Sequence, residues 1–139
     1  RTDIELSPDI LVQSEETPRS DRHHSILIAE DVYENYFLLE TLFGKQYQLY
    51  HALNGQEAID MFETYHPDLI LMDIKMPVMD GFEATRRIRT LSKTIPIIAL
   101  TAFAFEREKE IAKQCEFTDY VVKPIDIKEL KKLIAKVLA

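Results

Sequence analysis

Five side chains able to do chemistry follow short apolar runs in this chain. Glu30 and Asp31 follow residues 25–29 (SILIA), Asp73 follows 69–72 (LILM), Thr101 follows 95–100 (IPIIAL) and Lys123 follows 120–122 (YVV). Singly, each has a plain structural use: Asp31 or Thr101 could cap a helix, Asp73 could sit in a turn before Pro77, and Lys123 could be a solvated lysine before Pro124. Together they fit that use badly. Like charges a few ångströms apart each disfavour ionising the others, so three carboxylates on one edge are a poor way to stabilise a fold. A divalent cation resolves the conflict, and hard carboxylate oxygens without His or Cys suit Mg²⁺ or Mn²⁺. Mg²⁺ takes one or two carboxylates plus phosphate oxygens and keeps several waters. A carboxylate can also be the nucleophile in phosphoryl transfer, giving an aspartyl phosphate. The cation and the Lys ammonium would neutralise charge on the transferring group, and a Thr hydroxyl could donate to another of its oxygens.

The elements that must carry these residues alternate. Apolar runs at 25–29, 47–51, 69–72, 95–100 and 120–122 read as strands. Helical spacing appears at 35–43 (Tyr36, Leu39, Leu42, Phe43), 56–65 (Ala58, Ile59, Phe62, Tyr65) and 82–91 (Phe82, Ala84, Thr85, Ile88, Leu91). A weakly apolar helix is expected at 105–115, and a strong one at 126–138 with Ile127, Leu130, Leu133, Ile134 and Val137 inward. Pro96 is tolerable near the start of the fourth strand, where it need not donate to the ladder. Five strand–helix units in a row imply an α/β fold, a doubly wound parallel sheet with helices on both faces. Its strands are continuous apolar runs, as burial on both faces requires. Ligands of such sheets bind beyond the carboxyl ends of the strands, where all five polar groups would open.

Composition narrows the rest. The chain has 139 residues, enough for one domain with a tail, and a formal net charge of −7. That balance leaves no electrostatic footprint for nucleic acid or an anionic membrane surface. One cysteine, Cys115, excludes an internal disulfide and a multi-cysteine metal site. Neither a membrane-spanning run nor a signal-peptide core is present, so the expected compartment is the cytoplasm. Three glycines (Gly44, Gly55, Gly81) supply neither a dinucleotide fingerprint nor a Walker loop. His51 and His66 fall away from the carboxylates and read as surface residues. Residues 1–24 hold six acids, three Ser, two Pro and no aromatic, and read as a disordered linker or tail before a domain at 25–139.

The same residues resemble a known family, the receiver domains of bacterial response regulators. The resemblance rests on Glu30-Asp31, LILMDIKMPVMDG (69–81), IIALTA (97–102) and YVVKP (120–124), in order and at these spacings. It implies a flavodoxin-like fold with strand order 2-1-3-4-5, which puts Asp31 and Asp73 face to face at the switch point. It implies phosphorylation of Asp73, with Asp31 as direct metal ligand, Glu30 acting through water and the backbone carbonyl of Lys75 as a further ligand. Thr101 and Tyr120 resemble the switch residues, and Lys123 the phosphoryl-binding amine before a cis Pro124. Lys75 and Phe103, two residues beyond Asp73 and Thr101, would shield the phosphoryl group from water. The turn at 115–119 (CEFTD) lacks the glycine that many members carry.

The function so implied is two-component phosphorelay signalling: Mg²⁺-dependent acceptance of a phosphoryl group from a histidine kinase or His phosphotransfer domain. Phosphorylation would switch the surface of the fourth helix, fifth strand and fifth helix, and a phosphorylation-dependent dimer is compatible with it. The domain is not expected to be a turnover enzyme, nor to touch membrane itself. A chain starting at Arg1 and wording such as MPVMDGFEATRRIR (76–89) resemble the C-terminal receiver of a hybrid sensor histidine kinase, whose parent could be anchored in the inner membrane. The alternatives are a free-standing single-domain regulator, a pseudo-receiver without chemistry and an aspartyl-phosphate phosphatase. The last needs a D-x-D motif after the first strand and a cap.

Overall fold

A computed structural model describes residues 24–102, 110–111 and 113–139. The elements are β1 (Ser25–Ala29), α1 (Tyr33–Phe43), β2 (Gln48–Ala52), α2 (Gly55–Tyr65), β3 (Leu69–Asp73), α3 (Gly81–Leu91), β4 (Ile97–Thr101), β5 (Asp119–Val122) and α4 (Ile127–Leu138). Of the helix expected at 105–115, Glu110, Ile111, Lys113 and Gln114 are helical, and the other residues before Cys115, with 112, are Phe105 to Lys109, outside the described set. The expected linker at 1–24 also lies outside it, except His24.

The sheet is parallel throughout, in the order β2-β1-β3-β4-β5. Alternate residues of one strand serve opposite layers, because strand side chains have a period of two. Ile26 and Ile28 of β1 pack with Leu39 and Phe43 of α1 and with Leu130 and Ile134 of α4. Leu27 and Ala29 pack with Ile59 and Phe62 of α2 and with Ala84 and Ile88 of α3. Both faces are therefore covered, and β3 and β4 are buried along their whole length.

Local chemistry sets the helix starts. Asn54, Asp80 and Asp126 cap α2, α3 and α4, each accepting from the backbone N–H three residues on. α1 is different: its N-cap is Val32, with no side-chain cap, so Asp31 is not used for capping. The helix accordingly begins at Tyr33, two residues earlier than the apolar spacing suggests.

Two expected inward residues point elsewhere. Leu91 is 52% exposed, and the buried member of that helix end is Arg89. Its guanidinium donates to the carbonyls of Glu116 (2.8 Å), Ile95 (2.7 Å) and Ser92 (3.3 Å), satisfying a buried charge with fixed dipoles. Holding the carbonyl of Ile95, next to Pro96, also delays the fourth strand to Ile97. Tyr65 is 48% exposed and stacks on Tyr50 of β2 with ring centroids 4.2 Å apart.

Arg89 also explains the turn without glycine. Glu116 adopts a left-handed φ of 65°, and its carbonyl is one of those Arg89 holds. Thr118 then closes the turn onto β4, its N–H donating to Ile97 O and its hydroxyl accepting from Ile97 N. A left-handed backbone costs a non-glycine residue roughly 1 kcal/mol. Glu116→Gly should therefore raise stability by about 0.5–1 kcal/mol, since its exposed contact with Lys93 contributes little. Thermal denaturation would show this as a higher Tm, and a lower one would mean the turn is not strained.

Candidate functional site

The carboxyl ends of β1, β3, β4 and β5 deliver the five polar groups to one edge. Glu30 and Asp31 leave β1, Asp73 ends β3 and Thr101 ends β4. Lys123 follows β5, and its bond to Pro124 is cis. β1 lies between β2 and β3, so the acidic pair comes beside Asp73. One carboxylate oxygen each from Glu30, Asp31 and Asp73 fall within 4.8 Å of one another. Lys123 Nζ lies 3.0 Å from Asp73 Oδ2 and 3.5 Å from Glu30 Oε1. The other oxygen of Asp73, Oδ1, accepts from the backbone N–H of Lys75 at 3.3 Å. Thr101 is buried beside this group, and its carbonyl accepts from Lys123 N at 2.7 Å.

The loop after β3 is held by close backbone approaches. A Cβ at Gly81 would come 2.3 Å from the carbonyl oxygen of Asp73, and one at Gly55 2.5 Å from that of Met79. The amides of both glycines donate into the same loop, to Ile74 O and Met79 O. So Gly81 is a steric requirement of packing α3 against the backbone of Asp73. Within the loop, Met79 N donates to Pro77 O across Val78, whose φ is 69°. That makes a γ-turn, a strained form for a β-branched residue.

The electrostatics follow from burial. Glu30 is 1% exposed, and burial pushes its carboxyl up to about 7; the Val32 amide and Lys123 pull down, and Asp73 adds to the rise. Lys123 is partly buried, which alone would lower its pKa, but Asp73 and then Glu30 more than offset this and raise it. The amine is thus held charged between two acids. Three hard oxygen donors of net negative charge, one of them forced toward its neutral form, suit a hard divalent cation.

The raised pKa has a consequence for stability. Glu30 binds its proton more tightly in the folded chain than in the unfolded one, so it favours folding in acid. That advantage fades as pH rises from the ordinary value near 4.5 through about 7. In EDTA, wild type should lose about 2 kcal/mol relative to Glu30→Gln between roughly pH 5 and pH 8. Urea denaturation at the two pH values measures the difference, and parallel stabilities would contradict a buried, ionising Glu30.

The model of the response regulator receiver domain matches residues 26–135. The chain belongs to the response regulator receiver domain family. Among curated relatives, it is 34% identical over 117 residues to sporulation initiation phosphotransferase F of Bacillus subtilis, covering 84% of this chain and 94% of that protein. It is 38% identical over 114 residues to regulatory protein AtoC of Escherichia coli, covering 81% of this chain but spanning only 25% of that protein. A solved signal receiver domain of a signal transduction histidine kinase from Syntrophus aciditrophicus superposes with a TM-score of 0.76 at 32% identity, over 83% of this chain and 89% of that one.

For this receiver domain, the strand order agrees with the sequence reading, and Glu30, Asp31, Asp73, Thr101 and Lys123 lie at one edge of the sheet. Lys75 is exposed, and its backbone N–H donates to Asp73. Tyr120 is 38% exposed on β5, paired in register with Ala99. Phe103 lies outside the described residues, as does most of the expected fourth-helix surface. His51 departs from expectation. It is half-buried, with Nε2 2.8 Å from the carbonyl oxygen of Glu30 and its ring flat against Tyr36. No motif marked it, because the contact joins residues 21 apart through the register of two strands. Among the described residues, no helix is long and apolar enough to cross a membrane.

Proposed function

We propose that this receiver accepts a phosphoryl group onto Asp73 from a phosphohistidine of a histidine kinase or phosphotransfer domain. The observation that carries this reading is Asp73 itself, held at the end of β3 between Lys123 at 3.0 Å and the acids Glu30 and Asp31. In the transfer, an Asp73 oxygen forms the new O–P bond as the histidine N–P bond breaks. The bonding pair returns to the donor imidazole, which takes up a proton. Lys123 steadies a phosphoryl oxygen, and the Thr101 hydroxyl donates to another. Asp31, Asp73 and the carbonyl of Lys75 are the proposed ligands of Mg²⁺ or Mn²⁺, with Glu30 acting through water. When bound, the cation supplies charge neutralisation to the transferring group.

Phosphorylation would draw Thr101 toward the phosphate and let Tyr120 follow, shifting a two-state population. Tyr120 supports that role by its place, 38% exposed on β5 and paired with Ala99 of β4, the strand that ends at Thr101. The phosphatase alternative is weakened by the nucleophile's place, which is at the end of β3 and not of β1. The similarity to the Syntrophus aciditrophicus receiver supports a hybrid sensor kinase as parent, and phosphotransferase F supports the free-standing form. The motif at 76–89 tips the balance to the hybrid.

Acetyl phosphate with MgCl₂, followed by intact mass spectrometry, tests the reading. One hydroxylamine-labile phosphate is expected, and none when EDTA replaces the metal. An unmodified chain, or a hydroxylamine-resistant phosphate, would overturn it.

A further inference from the structure

The acidic pair is held by its main chain as well as by its charges. Glu30 N donates to Ala52 O at 3.0 Å, and Glu30 Oε2 accepts from Val32 N at 3.1 Å. The Glu30 carbonyl is the remaining group. It lies one residue beyond the last ladder pair of β1 with either neighbour, Ala29 with Ala52 and Ala29 with Met72. The amide of Leu53 is spent elsewhere, donating to Glu57 Oε1 at 2.8 Å. The donor is instead His51, whose Nε2 lies 2.8 Å from that oxygen. A carbonyl only accepts, so Nε2 carries the proton. The ring is kept in this pose by Tyr36 of α1, with centroids 3.7 Å apart and planes 1° from parallel.

This carbonyl belongs to the peptide plane that joins Glu30 to Asp31. Turning that plane swings the Cα of Asp31 and so re-aims its carboxylate. We infer that His51 is a positioning residue for the metal site: by holding the Glu30 carbonyl it fixes the direction in which Asp31 leaves β1. The inference rests on the proposed metal role of Asp31.

Two variants of the full chain separate the donor from the stacked ring. His51→Phe keeps a flat ring on Tyr36 and loses the donor. His51→Gln keeps an amide donor and loses the ring. Calorimetric titration with MgCl₂ alone should show His51→Phe weakened about tenfold, with His51→Gln staying within about threefold of wild type. Thermal denaturation should rank them the other way, with His51→Gln the less stable. A long-range ¹H–¹⁵N spectrum at about pH 8 should show the Nε2-protonated tautomer. If His51→Phe binds Mg²⁺ as wild type does, if affinity follows melting temperature across the variants, or if Nδ1 carries the proton, the inference falls alone. If wild type itself binds no Mg²⁺, the metal reading falls and takes the inference with it.

Discussion

Asp73→Asn should leave a folded receiver that acquires no hydroxylamine-labile phosphate. An amide nitrogen has no lone pair free for in-line attack, and its oxygen carries no full charge. Other carboxylates stand close, but their surroundings differ. Glu30 is buried, raised to about 7, and committed to the Val32 amide. Asp31 is the more exposed of the pair and is not in ion-pair distance of Lys123 in the way Asp73 and Glu30 are. Asp73 sets one oxygen 3.0 Å from the Lys123 amine, closer than Glu30 at 3.5 Å, and the other on the Lys75 amide, with β4 and its Thr101 on the next strand. Labelling with acetyl phosphate and MgCl₂, read by intact mass, should fall below detection. Undiminished labelling would move the nucleophile to another acid. The variant also removes the charge that raises Glu30, that of Asp73, so loss of folding is not the expected cause of inactivity.

The second large effect concerns the cation. Asp31→Ala should weaken Mg²⁺ binding about thirtyfold, ~2 kcal/mol, and Glu30→Ala much less. The asymmetry follows from what each carboxylate already does. Both oxygens of Glu30 have partners, Val32 N at 3.1 Å and Lys123 Nζ at 3.5 Å, and its ionisation is opposed by burial. Asp31 is the less buried, is not spent on capping α1, and stays close enough to its two neighbours to share an ion. Calorimetric titration of both variants distinguishes the roles, and equal losses would show that the inner and outer assignments are wrong. Both proteins should be compared with wild type in EDTA, so that a loss of folding is not read as a loss of binding.

Much of the site was legible from the order of residue types. Apolar runs ending in a polar residue mark buried parallel strands, because only strands covered on both faces omit the alternation of polar and apolar positions. Parallel strands then bring every carboxyl end to one edge. Glu30, Asp31, Asp73, Thr101 and Lys123 therefore read as neighbours from the order of the chain alone.

Other features were decided only in three dimensions. Arg89 turns inward where helical spacing favours Leu91, because three carbonyls from two separate turns converge on it. Glu116 adopts a glycine-like backbone because Arg89 and Thr118 hold the turn around it. His51 reaches the Glu30 carbonyl because the β1–β2 register sets it opposite Ile28, two residues short of that group. The raised pKa of Glu30 comes first from burial, which is a property of the packed sheet end and not of the Glu-Asp pair as written. Periodicity along a chain reports which face of an element meets the core. It carries no information about which buried donor finds which acceptor, because pairs such as His51–Glu30, Arg89–Glu116 and Lys123–Asp73 join residues 21 to 50 apart and form only once distant elements have packed together.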